Sequence, residues 1–198
     1  MRYLRPSRYH LRGFSTATGL NPAQDLTGTV PFHEYYVMLH SRNSPREFPK
    51  VVSSPVQQAL QLALVPSNGL VNFSWSPQQR LPPTPSSSDE EVYSATAFSK
   101  GANVIELDGL SLSNVQEAVQ RIISPKSTST AAQPLYIYVC THAARDCRCG
   151  DTGGLVAEAF RKEIDRRKLT SVVKLGETGH VGGHKFSFFN SSPYTKSN

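Results

Sequence analysis

Leu135-Tyr136-Ile137-Tyr138-Val139-Cys140 is the stretch that decides the fold. Six apolar or aromatic residues rich in β-formers predict a strand in the interior of a sheet. A loop runs from Thr141 to Gly153. Beyond it, Leu155, Val156, Ala159, Phe160 and Ile164 recur at helical spacing, with Arg161, Lys162, Asp165, Arg166 and Lys168 on the other side. This predicts an amphipathic helix capped by Asp151 or Thr152. Ser171–Leu175 reads as the next strand, Gly176–Gly183 as a Gly-rich turn, and Lys185–Phe189 as an edge strand. A strand–loop–helix–strand unit sets the loop after Cys140 at a carboxyl strand end, where open α/β sheets hold their functional sites.

The N-terminal side carries the same kinds of signal. Tyr36–His40 and Leu70–Trp75 read as strands, with a helix between them. Ser54 is its expected N-cap, Pro55 takes the first helical position, and Val56, Ala59, Leu60, Ala63 and Leu64 form the apolar face up to Pro66. Residues 76–91 are a Pro- and Ser-rich break, Val104–Leu107 a short strand, and Ser113 with Gln116 a capping box for a helix through Ile122. A second polar break at Lys126–Gln133 is the expected domain boundary. No internal repeat is strong enough to assert.

The 198 residues are 38% hydrophobic and 18% charged, with no apolar run near the ~20 residues that cross a bilayer, so no membrane span is expected. The only cysteines are Cys140, Cys147 and Cys149, which excludes a disulfide framework. The net charge of +6 is uneven: +4 over residues 1–24, −2 over 25–130 and +4 over 131–198. A nearly neutral body does not suggest a nucleic-acid partner. Residues 1–24 hold Arg2, Arg5, Arg8 and Arg12, many hydroxyls and no acid, the pattern of a mitochondrial transit peptide. Arg12-Gly13-Phe14-Ser15 resembles a matrix-protease cleavage site, which favours the matrix over the intermembrane space.

Two clusters carry chemistry. One is Cys140-Thr-His142-Ala-Ala-Arg145-Asp146-Cys147-Arg148-Cys149-Gly150, and the other His180-Val-Gly-Gly-His184. Thiolates and imidazoles bind borderline and soft metals. A loop of eight residues can fold back so that Cys140 and Cys149 meet one centre, and Gly182-Gly183 permit a tight turn between His180 and His184. Arg145 and Arg148 are expected to lower the thiol pKa values. The His pair fits zinc-finger spacing but the Cys pair does not, and a Rieske centre would place one Cys and one His in each loop. Cys147-Arg148-Cys149 could instead be a redox-active dithiol.

Cys-x8-Cys enclosing Arg145-Asp146-x-Arg148-Cys149-Gly150, followed by His180-x-Gly182-Gly183-His184, resembles the sucrase/ferredoxin-like family and its mitochondrial branch, over roughly residues 27–186. The resemblance implies an α/β fold with a thioredoxin-like ferredoxin domain at 131–198, preceded by a smaller α/β region at 25–130. It also implies a bis-histidinyl, non-Rieske 2Fe–2S cluster. Cys140 and Cys149 would hold one iron and His180 and His184 the other, while Cys147 is assigned no ligand role and joins His142, Arg145 and Arg148 around the cluster. The chain ends 14 residues after His184 and is read as truncated relative to the family. The implied function is a mitochondrial electron-transfer or redox-quality-control protein with proton-coupled redox, serving a redox partner protein. The resemblance implies an electron carrier or redox sensor more than a stand-alone enzyme. The alternative is a cluster-free thiol-disulfide protein or a zinc-stabilised binding module.

Overall fold

A computed structural model describes residues 32–79, 81, 91–99, 103–125 and 133–181, and the backbone of 188–191. The expected transit peptide, residues 1–24, and His184 lie outside the described residues. Tyr35–His40 forms strand β1 and Pro55–Leu64 helix α1. The Ser54 hydroxyl accepts the Gln57 N–H at 3.2 Å, and Val56, Leu60 and Leu64, one turn apart, are buried. Pro66 allows only one further tight turn, and Asn68 at φ 54° reverses the chain into β2, Gly69–Trp75.

Tyr93–Ser99 (β3) and Asn103–Leu110 (β4) pair antiparallel. The sequence does not announce β3, because Ser94, Ala95, Thr96 and Ala97 are small and only weakly apolar or polar, yet all four are buried. Val115–Ile123 is α2. Its entry is capped by Ser111 and Asn114, two residues before the expected Ser113 box; the Ser111 N–H donates to Asn114 Oδ1 at 3.0 Å.

Leu135–Cys140 is β5, Gly154–Arg166 α3, Val173–Thr178 β6 and Phe188–Ser191 β7. The buried residues of α3 are Gly154, Ala157 and Ile164, whereas Leu155 is 69% exposed and Ala159 also faces solvent. This corrects the expected face. The helix is entered through a wide turn at Cys149–Gly153 that is already helical, so neither Asp151 nor Thr152 caps it and its register is rotated.

One seven-stranded mixed sheet results, ordered β4-β3-β1-β2-β6-β5-β7. β7 is the edge strand expected near residue 189, and β5 is interior, as expected. β1 and β2 are parallel, joined through α1, and β3 adds antiparallel beside β1. β5 and β6 are likewise parallel, joined through α3, and β7 adds antiparallel beside β5. The strand order therefore repeats outward from the centre: β2-β1-β3 one way, β6-β5-β7 the other. The terminal pairs His40↔Ser74 and Cys140↔Thr178 are equivalent. So are two loop-entry hydrogen bonds, Ser41 N–H to Ser74 O at 2.7 Å and Thr141 N–H to Thr178 O at 3.2 Å. The centre itself is antiparallel and short, with registers Ser74↔Thr178 and Trp75↔Glu177 followed by Gly179 N–H to Phe73 O at 3.0 Å.

Helices α1 and α2 cover one face of β1–β4 over a core that includes Val37, Leu39, Leu60 and Ile122. The other face of β1 meets β5. Tyr36, Met38 and Tyr138 form a second core, with Phe98 edge-on to Tyr136 and Tyr138 at 5.0 and 6.0 Å. Among the described residues no helix is long and apolar enough to cross a membrane.

Met38 is fully buried where the two halves of the sheet meet, and the Thr178 hydroxyl lies 3.9 Å from its sulfur. Met38→Ala is expected to cost about 2–5 kcal/mol of stability, read from the midpoint of denaturant unfolding.

Candidate metal centre

Cys140 ends β5 and is 1% exposed. The chain then folds back on itself. His142 O accepts the N–H groups of Arg145 and Asp146, and Asp146 O accepts those of Cys149 and Gly150, at 3.0–3.3 Å. The wide turn packs so closely on the strand end that a Cβ on Gly153 would overlap the Cys140 carbonyl oxygen. Only glycine fits there, and the contact brings Cys149, also buried, back beside Cys140.

His180 arrives from the other direction, two residues beyond β6. Its approach is fixed on three sides. Gly179 N–H bonds Phe73 O, Asn72 Nδ2 donates to Gly179 O at 3.1 Å, and His180 N–H donates to His142 Nδ1 at 3.3 Å. Because His142 accepts at Nδ1, its Nε2 carries the proton and donates to Pro49 O at 2.9 Å. The Phe48 ring stands edge-on to the same imidazole at 5.7 Å. His142 is thus a buried brace for the His180 backbone.

His180 Nδ1 lies 3.7 Å from Cys149 Sγ and 4.0 Å from Cys140 Sγ, and the three donor atoms fall within 4.8 Å of one another. Two thiols and one imidazole converging in a mostly buried site suit a soft or borderline metal. Cys147 is exposed and outside this group.

The electrostatics differ from the sequence expectation. Arg145 is exposed, and Arg148 is committed to Asp146 by contacts of 3.0 and 2.7 Å. Burial, and then the neighbouring Cys140, push the Cys149 thiol up to about 12 against the weaker pull of Arg148. A bound cation would have to displace the proton, as metals do at coordinating thiols.

Glu177 is the partner that sequence reading missed, because it falls in a stretch that reads as a Gly-rich turn. It lies on β6, 2% exposed, with five donors around it. Arg46 Nε and Nη2 approach at 3.1 and 3.2 Å, Arg161 Nη2 at 3.1 Å, the Thr141 hydroxyl at 2.9 Å and the Ser44 hydroxyl at 3.3 Å. Burial alone would raise its pKa; the hydrogen bonds from Arg46, Thr141 and Arg161 outweigh that and hold it below the ordinary value. The carboxylate ties the residue after Cys140 to the strand that delivers His180.

The family model of sucrase/ferredoxin-like proteins matches residues 26–189. The chain belongs to the sucrase/ferredoxin-like family. It is similar to altered inheritance of mitochondria protein 32 of Meyerozyma guilliermondii, 37% identical over 51 residues, which is 26% of this chain and 18% of that protein. The protein of the same name from Debaryomyces hansenii gives the same identity and coverage. Actin patches distal protein 1 of Saccharomyces cerevisiae is 28% identical over 92 residues, 41% of this chain and 29% of that protein. The matches thus span less than a third of each of these relatives. No solved structure matches the chain significantly.

Because the folded pKa of Glu177 is depressed, its stabilisation is present above the ordinary carboxylate value of 4.5 and is lost as pH falls through the lower folded value. Glu177→Gln is expected to cost about 1–3 kcal/mol at neutral pH, less than an enclosed pair because both guanidinium groups reach solvent. The variant and native unfolding curves should converge in strong acid. Denaturant titrations over a pH series measure both effects.

Proposed function

We propose that this chain is a mitochondrial 2Fe–2S protein of electron transfer or redox quality control, with its cluster held by Cys140, Cys149, His180 and His184. The observation that carries the reading is the convergence of Cys140, Cys149 and His180 from two separate segments. Family membership supports it, as does the word mitochondria in the names of two relatives. His184 lies outside the described residues and enters from the sequence motif. A cluster bound here would supply one-electron chemistry.

The chain's own residues set the conditions for that chemistry. Cys140 and Cys149 sit below the surface, so they exclude water from one side of the centre. His180 presents Nδ1 to both sulfurs; with that atom on a metal, Nε2 would be the nitrogen that carries a proton. Neutral imidazoles donate less negative charge than thiolates, so mixed ligation raises the potential above that of an all-Cys site. The bracing by His142 and Asn72 holds the His180 backbone in place before any ligand arrives. The chemistry needs no proton donor or nucleophile acting on a substrate, which favours a carrier or sensor working with a redox partner protein.

Anaerobically purified full-length chain is expected to be brown, with about two irons and two acid-labile sulfides per chain. Cys140→Ser, Cys149→Ser and His180→Ala should each lose iron, whereas Cys147→Ser should keep it. A colourless protein holding one zinc, or iron retention that depends on Cys147 alone, would contradict the reading.

A further inference from the structure

The topological repeat has a consequence away from the metal centre. Cys140 and Thr178 close the parallel ladder of β5 and β6, and the metal-ligating group gathers just beyond them. His40 and Ser74 close the equivalent ladder of β1 and β2. Just beyond these lies a cavity of about 350 Å³ in the wedge where the two halves of the sheet separate. The place that holds the metal centre in one half is thus a cavity in the other. Carboxyl strand ends are where α/β sheets take ligands, and this volume lies in the range of small-molecule sites.

The wall of this cavity is polar in a layer that is otherwise aromatic. Tyr36, Met38 and Phe98 fill the space between the halves, but further along the strands His40, Thr96 and Glu106 replace them. These three are wired together. His40 Nε2 lies 2.9 Å from Thr96 Oγ1, and the Thr96 hydroxyl, itself buried, bonds both oxygens of Glu106 at 3.2 and 3.0 Å. Tyr136, from β5 on the opposite wall, hydrogen-bonds the same carboxylate. Glu106 is therefore held from strands of both halves.

Charge selects the occupant. Among the described residues, two carboxylates, Glu106 and Asp165, and two cations, Lys174 and Arg161, the latter shared with Glu177, line the cavity. A purely anionic or purely cationic ligand would gain from one pair and be repelled by the other, whereas a molecule carrying both charges gains from both. The rings of Trp75, Tyr136 and Tyr138 add flat apolar walls, and those rings can also receive an ammonium group. We propose that this wedge is a second binding site, distinct from the metal centre, for a small zwitterion of amino-acid to dipeptide size. The proposal does not depend on what occupies the metal centre, because Cys140, Cys149 and His180 do not line the wedge.

Trp75 is the only tryptophan in the chain and forms part of the wall, so its fluorescence reports on the site directly. The full-length chain is titrated with glycylglycine and a series of free L-amino acids, and in parallel with their N-acetylated and C-amidated forms. Saturable change is expected with at least one zwitterion, weakened about tenfold by either cap. Glu106→Gln should abolish the preference for the free amine and Lys174→Met the preference for the free carboxylate. Circular dichroism should show both variants folded, with metal content unchanged. Absence of saturable change with every member, equal affinity for capped and uncapped forms, or indifference to both substitutions would overturn the proposal. Failure of the cluster reading would show instead as missing iron in the native chain, with this titration unaffected.

Discussion

The short antiparallel contact between β2 and β6 is the constraint on which the rest depends. The two register pairs Ser74↔Thr178 and Trp75↔Glu177 join what are otherwise two separate strand–helix–strand units. The same contact continues as the bond from Gly179 N–H to Phe73 O, and that bond determines where His180 leaves the sheet. Such a short ladder would be weak alone. It is reinforced behind by the buried Glu177 carboxylate, held by Arg46 from the N-terminal half and by Thr141 and Arg161 from the C-terminal half. It is reinforced in front by Met38 packed between the two halves of the sheet. The junction that builds the fold therefore also builds the site.

The two halves use the same topology for different ends. At the carboxyl end of β5 the terminal residue is a cysteine, and a loop of eight residues brings a second cysteine back to it. At the carboxyl end of β1 the equivalent residue is a histidine, which is bonded to Thr96 and faces a polar cavity. One backbone plan thus supports a soft end that could hold a metal and a hard, hydrogen-bonding end. That division follows from a handful of side chains at strand termini, which is where α/β sheets place chemistry.

Much of this was legible in the sequence where a single local signal sufficed. The Ser54-Pro55 start of α1, the apolar run of β5 and the Cys140–Cys149 loop all announce themselves, and the motif residues pointed to the family that the chain proves to belong to. Other features depend on tertiary context. β3 is hidden because its buried residues are Ser, Ala and Thr, which report no burial by themselves. The face of α3 was misread because the wide turn at Cys149–Gly153 rotates the helix relative to a simple periodic reading. Arg148 looked like an activator of the thiols, but its charge is spent on Asp146, and burial dominates at Cys149. Glu177 has no motif at all; only folding brings Arg46 to it across 131 residues of chain. The repeat is likewise a property of strand order, and β1 and β5 share little beyond length and the placement of Tyr36 and Tyr136.

The central claim is that cysteine sulfur and histidine nitrogen meet at one redox centre. Pulsed electron paramagnetic resonance of the reduced full-length protein, with ¹⁵N-labelled histidine, tests this most directly. The account predicts strong hyperfine coupling to histidine ring nitrogen in the native chain. A reduced signal showing only the weak couplings of backbone amides would contradict it.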